Sequence, residues 1–127
     1  MKLTTLLLGL ALAFTSLHAA AYEKTLKQKG LKVELVSEKP LTAGNNHIKV
    51  KLYKSSKPLD GAKVALKIFM PAMPGMPYME SRAKAKPVGN GTYEADFNAA
   101  MGGTWQVHIF VTTDEGKKYR FKTSFNL

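Results

Sequence analysis

Trp105-Gln106-Val107-His108-Ile109-Phe110-Val111 places a bulky apolar residue at every odd position. This period of two is the mark of a half-buried strand and does not match the 3.6-residue repeat of an amphipathic helix. Working outward, the same alternation runs through Leu31, Val33 and Leu35, through Ile48, Val50 and Leu52, and through Val64, Leu66 and Ile68. It returns in Tyr93, Ala95 and Phe97, and finally in Tyr119, Phe121 and Phe125. Turn chemistry separates the segments: Gly44-Asn45-Asn46, Asp60-Gly61, Gly89-Asn90-Gly91, Met101-Gly102-Gly103 and Asp114-Glu115-Gly116. A weaker strand is expected from Glu80 to Ala85, and Tyr22 to Gln28 is expected to add no more than a helical turn. The pattern predicts an all-β fold, an immunoglobulin-like antiparallel β-sandwich of about seven strands around one shared core.

Residues 1–21 read as a cleavable signal peptide. Lys2 supplies the positive start, Leu3 to Leu17 is apolar, and Ala19-Ala20-Ala21 offers a small-residue cleavage site. The apolar run is shorter than the roughly 20 residues that a spanning helix needs. The expected product is a periplasmic protein whose residues 22–127 form a single domain. Cysteine is absent, so neither a disulfide framework nor a thiolate ligand is available. Nineteen Lys and Arg against nine Asp and Glu give a net charge of +10. Nucleic acid is the partner such a balance suggests in the cytosol, and export argues against it. Alternating Lys49 and Lys51, or Lys118, Arg120 and Lys122, read as solvated outer strand faces.

The chemistry-bearing stretch is Met70-Pro71-Ala72-Met73-Pro74-Gly75-Met76-Pro77-Tyr78-Met79, which holds four of the chain's six methionines at every third position. Pro71, Pro74 and Pro77 exclude a helix or a central strand here. A polyproline-like connection would set the four thioethers along one edge about 9 Å apart, with Gly75 as the point where the chain can bend. Thioether sulfur is soft and neutral, which suits Cu(I), with Ag(I) as a mimic, and it carries no proton to lose. The other reading is packing: methionine also fills gaps and grips partners, and Met70 continues the inward phase of Ile68. Met101 sits in a second loop that can approach the first if both leave the same end of the sandwich. His47 and His108 read as strand-surface histidines and Trp105 as core.

The Met-Pro loop after the third strand, Gly91-Thr92-Tyr93, and Met101-Gly102-Gly103-Thr104-Trp105-Gln106-Val107 resemble the YtkA-like and FixH-like families of exported or membrane-tethered β-sandwich domains. Within them the chain is most similar to small periplasmic copper-resistance determinant proteins. The resemblance covers most of residues 22–127 and implies copper handling, with Met73, Met76, Met79 and Met101 as candidate ligands and Met70 beside them. Relatives often carry a histidine in the loop. Here Tyr78 and Met79 end it, which favours an all-sulfur Cu(I) site over a mixed Cu(II) site. The membrane anchor usual in FixH-like proteins is not expected.

No cysteine nucleophile, serine elbow or phosphate loop is present, and the carboxylates show no acid–base spacing, so no enzyme is expected. Two functions follow. One is a periplasmic copper-binding protein that takes up Cu(I) for resistance, trafficking or delivery. The other is a non-metal interaction module whose Met-Pro loop docks on a periplasmic or membrane efflux or oxidase-assembly complex. A monomer is expected, with a dimer through the loop as the alternative.

Overall fold

A computed structural model describes residues 21–127; the signal-peptide reading falls on residues 1–20, outside that range, and on Ala21. The described residues form nine strands and no helix: β1 (Tyr22–Gln28), β2 (Leu31–Ser37), β3 (Gly44–Lys54), β4 (Lys57–Pro58), β5 (Lys63–Met70), β6 (Met79–Gly89), β7 (Thr92–Ala99), β8 (Thr104–Thr112) and β9 (Lys118–Asn126). The all-β class holds, with nine strands in place of about seven. The expected helical turn at Tyr22–Gln28 is corrected: the segment is β1, paired antiparallel to β2 from Tyr22 opposite Ser37 to Gln28 opposite Leu31. Pairing along a sheet edge decides its conformation, as tertiary context does wherever local preference is weak. The two-residue β4 pairs with the end of β3.

The strands are hydrogen-bonded in the order β1-β2-β3-β7-β6-β5-β8-β9. One layer is β1, β2, β3 and β7; the other is β5, β8 and β9. Strand β6 serves both. Its first part, Met79 to Ala85, pairs with β5, and its last part, Lys86 to Gly89, pairs with β7 across a register irregularity between Pro87 and Gly89. At the far edges β1 and β9 approach, and the rings of Tyr22 and Phe125 meet edge-on at 5.2 Å.

The odd-position residues of the opening stretch point inward as expected: Trp105, Val107, Ile109 and Val111 are all buried. They share one core with the alternating residues of β2, β3, β5 and β7 and with Phe121 and Phe125. Opposite the large residues of β5, strand β6 presents small ones. Ala85 faces Val64, Ala83 faces Leu66 and Ser81 faces Ile68, which lets the two layers converge at this edge.

Two hairpin turns show what glycine contributes. Asn90-Gly91 and Lys29-Gly30 both have positive φ at each central residue, the geometry that matches the twist of two-residue hairpins. A Cβ on Gly30 would meet nothing within 4 Å, whereas on Gly91 it would come within 2.8 Å of the Leu52 carbonyl oxygen and 2.9 Å of the Leu59 nitrogen. Gly30→Ala is therefore expected to cost about 1 kcal/mol from backbone strain alone, and Gly91→Ala at least about 3 kcal/mol because backbone must move as well. Urea unfolding of the two variants measures the difference.

Candidate metal centre

The methionine segment is a hairpin. Met70 pairs with Met79 at the end of the β5–β6 ladder, and beyond an unpaired interval Met73 and Met76 form an isolated antiparallel bridge. The Met73 N–H donates to the Met76 carbonyl at 2.9 Å, and the Met76 N–H donates to the Met73 carbonyl at 2.8 Å. Between them Pro74-Gly75 turns the chain, with Gly75 at φ 81°, as in a type II turn with proline first and glycine second. That turn splays its flanking strands, and Pro71 and Pro77 have no N–H to donate, so the ladder does not run through. The expected extended edge with 9 Å steps is thereby corrected: the chain folds back at Gly75.

Folding back changes which sulfurs can meet. Directly paired residues point their side chains to the same face with Cβ atoms roughly 5 Å apart, so Met73 and Met76 stand side by side. Met76 and Met79 are half-buried and pack against the core, whereas Met73 is 51% exposed. Met70 is 4% exposed and belongs to the core, as its inward phase indicates. Its terminal methyl lies close to Gly103, where an added Cβ would sit 3.2 Å from it.

Met101 leaves the same end of the sandwich. Strand β8 begins beside the end of β5, with Phe69 opposite Gln106, and the indole N–H of Trp105 donates to the Met101 carbonyl at 3.0 Å. The buried Trp105 thus anchors the loop that carries Met101, whose residue is 37% exposed. Gly103 and Leu127 exchange backbone hydrogen bonds of 3.0 and 2.9 Å, tying this loop to the end of β9. The indole bond and the Gly103–Leu127 clamp carry no sequence signal beyond the apolar phase of Trp105. The structure brings Met73, Met76, Met79 and Met101 to one end and turns Met70 into the core.

Around the hairpin, the Tyr78 hydroxyl donates to Glu80 at 2.8 Å, and Arg82 bonds the other oxygen of the same carboxylate. Arg82 first and Tyr78 second hold the Glu80 carboxyl below the usual carboxylate range. His47 lies elsewhere, on the outer side of β3, where its two ring nitrogens meet Asp96 at 2.7 Å and Glu94 at 3.2 Å. His108 is on the outer side of β8, edge-on to Phe69. Neither histidine joins the methionines. Among the described residues no group of three or more His, Cys, Asp or Glu is arranged to hold a metal ion. Thioethers are the soft donors at this end.

A small antiparallel sandwich with methionines gathered on two loops at one end is the class that fold and site define. The chain belongs to the YtkA-like family, whose pattern matches residues 25–110. Among solved structures it is similar to a DUF4426 family protein from Pseudomonas aeruginosa, at 13% identity and a TM-score of 0.60, covering 83% of this chain and 94% of that one. It is also similar to FetP of a uropathogenic E. coli strain, expressed in the periplasm of E. coli, at 10% identity and a TM-score of 0.54, covering 84% of this chain and 95% of that one. At such identities these likenesses establish the fold. Comparison with curated protein sequences returns no match.

Burial sorts the methionines by what their loss should do. Met70→Ala is expected to cost roughly 2–5 kcal/mol as a core truncation, and Met73→Ala to stay within about 0.5 kcal/mol as a change on an exposed turn. Chemical denaturation of both variants tests the assignment.

Proposed function

We propose that the protein is a periplasmic, non-catalytic copper-binding protein that takes up Cu(I) through Met73, Met76, Met79 and Met101 for resistance, trafficking or delivery. The observation that carries this reading is the Met73–Met76 bridge. A Pro-Gly turn sets two thioethers on one face, beside a half-buried third and on the same end as a fourth. The donors fit the ion. Thioethers are soft and uncharged, so they match Cu(I) or Ag(I) and not Mg, Ca or Mn. They also add no charge to a strongly basic domain, and without a thiolate they hold the ion with moderate strength, as a carrier requires.

Accessibility supports uptake from solution. Met73 and Met101 are exposed and can make first contact, while Met76 and Met79 are steadied by the core and need little ordering. Membership of the YtkA-like family and the likeness to a periplasmically expressed protein support an exported location. The exposed Met73 and Tyr78 also present an apolar tip, which favours, as a second reading, docking on a membrane efflux or assembly complex without metal.

A Cu(I) competition titration under reducing conditions separates the two. Replacing Met73, Met76 and Met79 together by Leu keeps volume and apolarity, so the copper reading expects binding to vanish while the fold remains. Retention of full Cu(I) affinity by the triple variant would sink it. Thioethers carry no titrating proton, so the wild-type affinity is expected to stay flat between about pH 5 and pH 8, the range over which a histidine site would weaken on acidification.

A further inference from the structure

Pairing shows that the charge of the domain is unevenly spread. On the outer side of the β1-β2-β3-β7 layer, cations sit among acids: Lys32 meets Glu34 at 3.6 Å, Lys49 meets Glu38 at 3.4 Å, and Glu94 and Asp96 flank His47. The outer side of β6-β5-β8-β9 is different. Arg82 and Lys84 line it on β6, and Lys118, Arg120 and Lys122 line it on β9. Lys63 and Lys67 add two more cations on β5. Glu80 is the one acid in these strands, and it is already engaged by Arg82 and Lys67. Among the described residues Lys84, Lys118, Arg120 and Lys122 form no ion pair.

Between the two basic rows lies an aromatic floor. The outward residues of β5 and β8 include Phe69, His108 and Phe110, with Lys67 opposite His108 and Ala65 opposite Phe110. The His108 ring meets Phe69 at 5.0 Å and Phe110 at 6.1 Å, both edge-on, and the Lys67 ammonium lies 5.0 Å from the Phe69 ring centre. Burial first, then Lys122, Arg120 and Lys67, push the His108 imidazole below its ordinary pKa, as expected in a positive field. Three strand spacings separate β6 from β9, so the rows stand about 14 Å apart.

We propose that this face is a docking surface for an acidic protein segment in which Asp or Glu alternates with apolar side chains. Charge selects the sign of the occupant, and the half-buried rings between the two basic rows select a polypeptide over a membrane. A bilayer surface would meet the Lys and Arg tips and leave the half-buried rings unfilled, whereas one extended segment fits between the rows and brings apolar side chains to them. Aromatic residues are also enriched in protein interfaces. The inference does not rest on the copper reading.

The test is fluorescence anisotropy with a labelled, soluble peptide of glutamates interspersed with leucines, run beside vesicles containing phosphatidylglycerol. The wild-type protein is expected to bind the peptide, more weakly as salt is raised, and Arg120→Glu with Lys122→Glu to weaken it roughly tenfold or more. Lys49→Glu with Lys51→Glu, on the opposite face, is expected to leave binding unchanged. Because all four positions lie on outer faces the variants should fold, which Trp105 fluorescence checks; the milder pair Arg120→Gln with Lys122→Gln is expected to show a smaller loss in the same direction. Equal loss in the two charge-reversed proteins, or binding to vesicles without binding to the peptide, overturns the proposal.

Discussion

One strand shared between two layers is the constraint on which the rest of this structure depends. Strand β6 leaves β5 and joins β7 around Pro87, which has no N–H to give a ladder, and Gly89, where the register shifts. The change of partner converts two sheets into one continuous hydrogen-bonded path. It requires small inward residues where the layers converge, and Ala85, Ala83 and Ser81 supply them. Met79 is the large exception in that row, and it stands at the end of the β5–β6 ladder, half-buried against the core. The methionine hairpin is thus placed by the same strand that folds the domain.

The alternating segments were legible because each buries one face against a partner that buries its own, which forces a strict period of two. Strand β1 was not, since its inward phase carries Lys24 and Gln28 beside Tyr22 and Leu26, and only its pairing to β2 reveals the conformation. The hairpin was half legible. Threefold spacing of proline suggests a polyproline-like edge, while Pro74-Gly75 carries the turn that the structure adopts. Which sulfurs share a face depends on that turn, and spacing alone does not decide it. The unequal charge of the two outer faces was invisible for a different reason: alternation says that Lys118, Arg120 and Lys122 point one way, and only topology says that Arg82 and Lys84 point the same way.

Glu80 lowers the positive charge beside the methionine hairpin. A cation approaching a basic domain is repelled, and the repulsion fades beyond the screening length of about 8 Å at physiological salt. Glu80 follows Met79 and pairs with both Lys67 and Arg82, offsetting one of their two positive charges. The rows of uncompensated charge lie further along β6 and across on β9. On the proposed reading, an uncharged thioether set beside a patch whose positive charge Glu80 partly offsets repels a monovalent cation less than the rest of the face does.

The unequal burial of the four methionines then has a mechanical meaning. An ion held by side chains that are all fixed is slow to leave, and one held by side chains that are all free must order each of them at an entropic cost. Met76 and Met79 are held by the core, and Met73 and Met101 are not. On the proposed reading, the pair held by the core would set where the ion sits and the exposed pair would set how readily it exchanges. That division follows from where the Pro-Gly turn and the Trp105 anchor leave each side chain.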